Sequence, residues 1–452
     1  MIFSFIKYTQ PGWQFNILPK SDIEFSSCYF HPDYLPLRDN ESIETDYSFD
    51  SLSAQYADIG YRAWNKGNLI RCDKKIIDQI AQLPKPTLKD EYTFLFKYWG
   101  KTWALFAFLR RITTLKNPVR EIQAFINAAK VKRFNPFKNP LQRDDFHLFE
   151  SRLLKAQPLV AVIIPTLNRY EYLKDVLNDL EKQDYKSFEV IVIDQSTPFN
   201  EAFYKPFNLR LKVIYQKERL LWTARNNAIK STSAEYLLFF DDDSRVNHNW
   251  ISEHIKSLDY FDADISAGVS LAKVGMRVPE SYSYFRWADQ FDSGNALVKR
   301  QIFKKVGLFD EQFNKQRMGD GEFGLRTYLN GYRCISNPHA SRTHLKVSSG
   351  GLREMGSWDA YRPRKLFAPK PVPSVVFLYK KYFPKENYRS VMLLGVMLSN
   401  VHYRNKGNNK MLFLSIILTV FKSPLLIIQF LRARSIANQM LKNDNGIQLL
   451  EH

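Results

Sequence analysis

The chain has 452 residues, of which 45% are hydrophobic and 25% are charged. This composition excludes a disordered chain, and the length is enough for two or three domains of ordinary size. The formal net charge of +19 means that a polyanion or an anionic membrane surface must be considered as a partner. Three cysteines, Cys28, Cys72 and Cys334, lie far apart and in no metal-ligand spacing. They argue against a disulfide scaffold or a zinc module and favour a reducing compartment.

Residues 1–155 are rich in aromatic side chains and show helical periodicity, but they contain no recognisable chemical motif. The periodicity predicts helices over residues 74–83, 92–111 and 118–134. The start of the chain has neither a basic leader nor a long apolar core, so we expect no signal peptide. Basic residues are frequent from residue 97 to residue 133, and they indicate either a solvated helix face or a binding surface.

From residue 159 onward, short apolar runs alternate with helical stretches. The runs cover residues 159–164, 188–193, 211–215 and 236–240. Short apolar runs separated by longer helices are typical of a parallel sheet that is covered on both faces. The predicted fold class for this part of the chain is therefore α/β, with a doubly wound sheet.

In such folds ligands bind beyond the carboxyl ends of the strands, so the residues after each run are candidates for a site. Asp194 follows the second run, and Asp241, Asp242 and Asp243 follow the fourth. Because carboxylates this close repel one another unless a cation lies between them, the triplet favours Mg²⁺ or Mn²⁺. A solvated acidic turn explains the triplet alone equally well. Arg225, near the start of a predicted helix, adds a guanidinium suited to a nucleotide or its phosphates.

The chain becomes strongly basic after about residue 351. Between residues 362 and 442, fifteen Lys and Arg accompany one acid, Glu386. In the same segment an apolar run over residues 411–421 is interrupted at residues 422–424 and then resumes. A spanning helix needs about 20 apolar residues, and a central Lys costs about 2.5–3.5 kcal/mol. We therefore expect this segment to lie in a membrane interface. The alternative is a buried C-terminal helical hairpin.

Several of these residues, taken in order, resemble family 2 glycosyltransferases with the GT-A fold. The nucleotide-sugar half of that family is matched by PTLNR at residues 165–169, VID at 192–194, ARN at 224–226 and FDDD at 240–243. The segments at residues 294–298, 303–310 and 319–326 resemble the acceptor side, which ends in the acidic catalytic motif. The resemblance covers roughly residues 156–346. It implies a GT-A-type mixed sheet over residues 156–351, between a mostly helical accessory region (1–155) and a basic helical region (352–452).

The resemblance also implies roles for individual residues. The nucleotide-sugar-binding residues would be Pro165, Thr166, Asn168, Arg169, Asp194, Arg225, Asp241 and Asp242. A metal ion, Mn²⁺ or Mg²⁺, would be held by Asp241 and Asp243, with His344 as a further ligand and His339 as its rival. Asp320 would be the catalytic base that accepts the proton of the acceptor hydroxyl.

Four further residues fall on the acceptor side of the resemblance, in acceptor-binding or positioning roles: Trp287, Asn295, Glu322 and Arg326. Ordinary core packing is the alternative for Trp287. The family's acidic motif usually reads Glu-Asp, one residue, then Glu-Phe, and here Gly319 replaces the first Glu. This replacement affects the fine positioning of the motif and not the presence of its base.

The activity implied is that of an inverting, metal-dependent hexosyltransferase. It would move a sugar from a nucleotide diphosphate sugar, expected to be UDP-linked, to a hydroxyl of a lipid-linked or growing cell-surface glycan of bacterial type. A processive polysaccharide synthase is the nearest alternative. That class usually carries a Gln-x-x-Arg-Trp motif after the acidic motif, whereas the only Arg-Trp pair here, Arg286 and Trp287, precedes Asp320. We therefore expect single addition.

The basic C-terminal region suggests where this reaction would occur. Each Lys or Arg close to an anionic leaflet contributes about 1 kcal/mol, so we expect a peripheral protein at the cytoplasmic face of the cell membrane. A nucleic-acid-binding protein is the alternative that the charge permits. Because the sequence contains no recognisable nucleic-acid module, nucleic acid is not an expected partner.

Overall fold

A computed structural model of the chain describes residues 3–9, 17–19, 23–26, 43–272, 276–288, 291–347, 351–352, 361, 365–400, 409–444 and 446–451. The chain divides into two units. Unit 1 comprises Met1–His147, Pro279–Asp289 and Tyr328–Ser336, and unit 2 comprises Leu148–Val278, Gln290–Thr327 and Asn337–His452. Cys28 and four of the fifteen Lys and Arg between residues 362 and 442 lie outside the described residues; these four are Arg362, Arg364, Arg404 and Lys406.

Unit 1 is mostly helical. Its first elements are α1 (Ile6–Thr9), β1 (Phe25–Ser26), α2 (Leu52–Asn65), β2 (Arg71–Cys72), α3 (Lys74–Gln82), α4 (Leu88–Tyr98), α5 (Lys101–Ile112), α6 (Pro118–Ala128) and α7 (Asp145–Leu148). The prediction of a single helix over residues 92–111 is wrong. Gly100 has a φ of +83°, which an α-helix does not contain, so α4 ends before it and α5 begins after it. The helix predicted to reach residue 134 ends at Ala128.

The core of unit 1 is built from aromatic rings. Phe94 stacks on Phe3 with ring centroids 4.0 Å apart, and it meets Tyr61 edge to face at 5.2 Å. Charged side chains within this core are paired. The Nζ of Lys97 lies 2.7 Å from Oδ1 of Asp58 and 2.6 Å from Oδ2 of Asp46. Since an unpaired buried charge is strongly destabilising, these ion pairs allow a lysine to lie inside the helical packing.

Unit 2 is an α/β unit. Its elements up to the last strand are α8 (Arg152–Ala156), β3 (Val160–Thr166), α9 (Tyr170–Glu181), β4 (Phe188–Asp194), β5 (Leu211–Tyr215), α10 (Leu221–Lys230), β6 (Tyr236–Phe240), β7 (Ser244–Val246), α11 (Trp250–Tyr260), β8 (Ile265–Leu271), β10 (Asn295–Lys299), α12 (Gln301–Val306), α13 (Gly319–Leu329) and β11 (Cys334–His344). In unit 1, β9 (Arg286–Trp287) pairs with Ile335 and Ser336 at the start of β11.

The sheet of unit 2 is mixed. Its strand order is β5-β4-β3-β6-β10-β8-β11-β7. The first four strands are parallel, whereas β10 is antiparallel to both β6 and β8. All four apolar runs form strands, and the mixed α/β fold class is confirmed. The register pairs Thr166 with Asp194 and Ile163 with Phe239, so β3, β4 and β6 end at the same edge.

Four helices complete unit 2: α14 (Pro373–Tyr382), α15 (Lys385–Leu398), α16 (Asn409–Phe421) and α17 (Ser423–Lys442). As expected, the apolar run is interrupted at Lys422, between α16 and α17. The buried side of α17 consists of Leu426, Gln429, Ala433 and Ala437. Among the described residues, no helix combines the length and the apolar character needed to cross a bilayer.

Candidate functional site

The acidic triplet follows β6 directly, and each of its carboxylates contacts a basic side chain from elsewhere in the sequence. Asp241 accepts hydrogen bonds from Arg225 at 3.2 Å and from Arg342 at 2.8 Å. Asp242 accepts a hydrogen bond from Arg169 at 2.9 Å, and Asp243 lies 3.1 Å from Nε2 of His344. The negative charge of the triplet is therefore balanced by basic side chains from other segments of the chain.

The surroundings shift the pKa values of the two buried carboxylates, Asp242 and Asp243, in opposite directions. Burial raises the pKa of Asp242 to about 6, partly offset by the nearby charge of Arg169 and reinforced by that of Asp243. For Asp243, burial acts in the same direction, but the hydrogen bond and charge of His344 outweigh it and hold the pKa below its usual value. Neighbouring carboxylates thus differ in proton affinity, and Asp243 is the better ligand for a cation.

Asp241, Asp243 and His344 form a cluster suited to a metal ion. One ligand atom from each of them lies within 4.8 Å of the others. Two carboxylates and an imidazole are donors that Mn²⁺ accepts, whereas Mg²⁺ prefers oxygen ligands alone. Of the two histidines considered, His344 belongs to this cluster, and the side chain of His339 is exposed.

Asp194 ends β4 and is completely buried. Its Oδ2 accepts hydrogen bonds from the hydroxyls of Tyr170 at 2.7 Å and Tyr204 at 2.8 Å, and its Oδ1 accepts one from the backbone N–H of Ser196 at 2.9 Å. The two tyrosines were not among the residues singled out from the sequence. Tyr170 directly follows the PTLNR motif, and this position was the available signal.

The loop after β3 lies beside this carboxylate. Asn168 has a φ of +53°, donates its backbone N–H to Ser196 Oγ, and accepts at Oδ1 from the backbone N–H of Thr197. Pro165 and Thr166 are buried within β3, and the Thr166 hydroxyl donates to Asp242 at 2.8 Å. Thr166 and Arg169 therefore connect the loop to the acidic triplet.

Arg225 lies between the triplet and a narrow cavity at the start of α13. Arg225 donates one hydrogen bond to Asp241 and another, of 2.8 Å, to the carbonyl oxygen of Ser293. Its guanidinium lies 5.1 Å from the ring of Trp222. Arg225, Trp222 and Ser293 line this cavity together with Asp320, which is in the first turn of α13. The implied base thus shares a cavity with an arginine that contacts the implied metal ligand Asp241.

Comparison with known proteins assigns this region to a family. Residues 161–317 match the profile "Glycosyl transferase family 2". The chain contains a family 2 glycosyltransferase domain. The profile covers the strand ends that carry Asp194 and the triplet, together with Arg225, and ends just before Asp320.

Two curated relatives match parts of the chain. Glycosyltransferase GlyA of Streptococcus pneumoniae is 30% identical over 163 residues, which are 35% of this chain and 22% of that protein. The poly(ribitol-phosphate) beta-N-acetylglucosaminyltransferase TarS of Staphylococcus aureus is 29% identical over 128 residues, which are 27% of this chain and 22% of that protein. The chain therefore spans about a fifth of the length of these two relatives.

Solved structures are also similar. S. aureus TarS 1–349 in complex with UDP-GlcNAc has a TM-score of 0.41 and 20% identity, and the match covers 59% of this chain and 78% of that one. The mannosyltransferase PcManGT from Pyrobaculum calidifontis, in complex with GDP-Man and Mn²⁺, has a TM-score of 0.41 and 17% identity. This match covers 67% of this chain and 92% of that one.

Glu322 and Arg326 form a buried ion pair within α13. Nε of Arg326 lies 2.9 Å from Oε1 of Glu322, and the same guanidinium donates to the carbonyl oxygens of Gly307 at 3.1 Å and Leu308 at 2.9 Å. The hydroxyl of Tyr382 in α14 donates to Glu322 at 2.5 Å. These contacts fix α13, and with it Asp320, against the preceding loop and the C-terminal helices.

Asn295 and Trp287 are both completely buried. The amide of Asn295 accepts from Trp250 Nε1 at 2.8 Å and donates to the carbonyl oxygens of Val269 at 3.1 Å and Ala340 at 3.0 Å. Trp287 belongs to unit 1, where its indole N–H donates to the carbonyl oxygen of Ile70 at 2.9 Å.

Arg342 is the most important residue that sequence reasoning missed. Its side chain is 1% exposed and contacts Asp241 at 2.8 Å and Asp292 at 3.1 Å. A Cβ added to Gly294 would lie 2.3 Å from Oδ2 of Asp241 and 2.5 Å from Arg342. Only glycine therefore fits next to this ion pair. Arg342 stands two residues before His344, which was the available sequence signal.

Gly319, which replaces a glutamate of the family motif, packs directly against Trp222. A Cβ at Gly319 would lie 2.3 Å from Cε2 and Cζ2 of the indole. The ring is held in place, because the backbone N–H of Trp222 donates to Asn314 Oδ1 at 2.9 Å and its Nε1 donates to the carbonyl oxygen of Phe313 at 3.2 Å. Trp222 therefore leaves no room for a side chain at position 319.

We predict that Gly319→Ala destabilises unit 2 by about 1–3 kcal/mol, because the new methyl group overlaps the indole. Gly321→Ala is the matched control, since its Cβ would meet only Met318 Cε, at 3.6 Å. The free energy of unfolding of this control variant should be unchanged or higher by up to about 1 kcal/mol. Urea unfolding followed by tryptophan fluorescence measures both, and equal midpoints for the two variants would contradict the packing described.

Proposed function

We propose that the protein is an inverting, metal-dependent glycosyltransferase that transfers a sugar from a nucleotide diphosphate sugar to a hydroxyl group of a glycan. The observation that carries this proposal is the continuous path from Asp243 and Asp241 through Arg225 to Asp320. It joins a candidate diphosphate and metal site to a carboxylate at the start of a helix. Transfer requires both functions within reach of one sugar.

The donor would lie along the carboxyl edge of β3, β4 and β6. Asp194 and the loop from Pro165 to Arg169 would surround the base, and Arg225 would meet the phosphates. Asp241 would bind the ribose and Asp242 would approach the donor sugar. On the family resemblance the nucleotide is proposed to be UDP. A metal ion held by Asp241, Asp243 and His344 would supply positive charge to the leaving diphosphate; its donor set favours Mn²⁺ over Mg²⁺.

The chemistry assigned to the chain is a single displacement. The acceptor oxygen forms a bond to the anomeric carbon while the bond to the diphosphate breaks, and the diphosphate leaves with the electron pair. Asp320 accepts the proton of the acceptor hydroxyl. Because attack occurs on the face opposite the leaving group, an α-linked donor gives a β-linked product. Glu322, Arg326 and Asn295 are proposed to act as positioning residues through the buried contacts described above.

The acceptor is proposed to be a lipid-linked or growing cell-surface glycan that receives one sugar in each reaction. The sequence after Asp320 lacks the Gln-x-x-Arg-Trp motif of processive synthases, which supports single addition. The name of the relative TarS describes transfer of N-acetylglucosamine to a poly(ribitol-phosphate), which is consistent with a polymer as acceptor.

Asp320→Asn should reduce transfer by about 10²–10⁴-fold, because the amide cannot accept the proton, while donor binding should be unchanged. Asp184→Asn, which removes an exposed carboxylate from the same unit, is the control and should keep full activity. Transfer is scored by release of the nucleotide and binding by calorimetry. Activity of Asp320→Asn equal to that of the control would show that another group is the base.

We further propose that α16 and α17 bind the protein peripherally to the cytoplasmic face of an anionic membrane. These helices expose large apolar side chains. The most exposed are Phe421, which is 79% exposed, and Val420, which is 67% exposed. Others are Leu414, Ile417, Leu418, Ile427, Ile428, Leu431 and Ile436. Exposed cations, among them Lys422, Arg432 and Arg434, lie in or next to the same two helices. Apolar side chains interspersed with cations are typical of interfacial helices.

The protein should float with liposomes that contain phosphatidylglycerol and less with pure phosphatidylcholine, and high salt should weaken its binding. Replacing Val420 and Phe421 with serine should reduce binding by at least about tenfold, because two large apolar side chains no longer enter the interface. Leu148→Ser removes an apolar side chain that is 85% exposed elsewhere in unit 2 and serves as the control. Unchanged flotation of the double variant would contradict the membrane proposal.

A further inference from the structure

Unit 1 contains a cavity with aromatic walls that the glycosyltransferase domain does not explain. Its volume is about 500 Å³, within the range of small-ligand pockets. The residues lining it are Tyr61, Tyr98, Trp99, Arg133, Phe134, Asn135, Pro136 and Phe137. Trp99, Phe134 and Phe137 are half-buried, so their rings are accessible in part to a ligand. The rings of Tyr61 and Tyr98 close the inner side, with centroids 4.6 Å apart.

The walls of this cavity are firmly held. Arg133 donates from NH1 to the carbonyl oxygen of Trp99 at 3.0 Å, and the backbone N–H of Phe134 donates to the carbonyl oxygen of Lys97 at 2.8 Å. Asn135 accepts at Oδ1 from the backbone N–H of Phe137 at 3.0 Å. The segment after α6 is thus fixed against the end of α4, and the cavity is formed before any ligand arrives.

A second cavity, of about 670 Å³, adjoins the first and shares Arg133 and Phe134 with it. Its lining is strongly basic and includes Arg62, Lys89, Lys97, Lys130, Lys132 and Arg133, whereas its carboxylates are Glu44 and Asp46. The two cavities therefore form one groove, which is aromatic at one end and cationic at the other.

Ion pairs within unit 1 account for only half of this positive charge. Lys97 is paired with Asp46 and Asp58, Arg62 with Asp58, and Lys89 with Asp50. Lys130, Lys132 and Arg133 are exposed, and none of them has a carboxylate partner among the described residues. Three cations that line this cavity and have no carboxylate partner among the described residues are suited to a ligand that carries anionic groups.

We propose that this groove binds an anionic glycan, with sugar rings against the aromatic wall and the anionic group against Lys130, Lys132 and Arg133. An aromatic ring has a flat face of partial negative charge, which complements the C–H face of a sugar. The choice of a glycan rests on the proposed function, because a chain that transfers sugars meets glycans as acceptors.

Nucleic acid is the other class of ligand that aromatic rings and cations accept. Binding of single strands usually relies on a basic groove in which successive bases stack on exposed rings. Here the aromatic rings are gathered at one end of the groove, and two of them, Tyr61 and Tyr98, are buried. This arrangement suits one or two sugar units better than a continuous strand of bases.

The test uses the full chain and matched pairs of oligosaccharides that differ by one phosphate, beginning with pentamannose and pentamannosyl phosphate. Calorimetry measures binding to the wild type, to Lys130→Ala/Lys132→Ala, and to the control Lys75→Ala/Lys116→Ala. The control removes two exposed lysines of unit 1 that line neither cavity. Phe137→Ala tests the aromatic wall, with its melting temperature measured in parallel.

We expect the phosphorylated member of at least one pair to bind about tenfold more tightly than the neutral one. The Lys130/Lys132 variant should lose this difference, and the control should keep it. Phe137→Ala should weaken both members of the pair. Equal affinity within every pair, an equal loss in the control, or tighter binding of an oligothymidylate than of every glycan would overturn the proposal. A nucleotide sugar titrated in parallel reports on unit 2, so a failure of the donor site is distinguished from a failure of the groove.

Discussion

The candidate site depends on bringing three adjacent carboxylates to the edge of a sheet and balancing their charge. Asp241, Asp242 and Asp243 would repel one another strongly in a partly buried position. Arg342 and Arg225 neutralise the first, Arg169 the second, and His344 shares a hydrogen bond with the third. These partners come from β11, α10 and the loop after β3. The charge balance therefore joins the parallel and antiparallel parts of the sheet, and the position of each carboxylate depends on both.

Glycines and buried hydrogen bonds surround the charge-balanced triplet. Because Gly294 has no side chain, Asp241 and Arg342 can pair next to its backbone. Gly319 likewise leaves room for Trp222 to pack against the start of α13. Arg225 contacts Asp241 and lines the cavity of Asp320, so a change at the triplet would be transmitted to the proposed base. Glu322 and Arg326 hold α13 in place from the opposite side.

Much of the fold of unit 2 could be predicted from sequence, because β3, β4 and β6 are buried on both faces and therefore have continuous apolar runs. The same apolar runs predicted that Asp194 and the triplet lie at the ends of strands. Arg342 could not be found from these runs, since its role arises from antiparallel pairing across the sheet, and its position two residues before His344 was the sequence signal that remained. The break at Gly100 was missed because apolar periodicity continues across it, although the backbone conformation does not. The groove of unit 1 is formed from separate helices and a loop, so its aromatic and basic residues have no common sequence pattern.

We propose that the edge of the sheet binds a nucleotide sugar with the help of a metal ion. The most direct measurement of this binding is the melting temperature of the protein with a panel of nucleotide sugars, with and without Mn²⁺, for the wild type and for Asp243→Asn. Binding at a hundredfold excess over Kd stabilises a protein by about 2.7 kcal/mol, which is readily detected. At least one donor should raise the melting temperature only when Mn²⁺ is present, and Asp243→Asn should abolish the shift. No response to any donor, or a shift that needs neither the metal nor Asp243, would contradict this proposal.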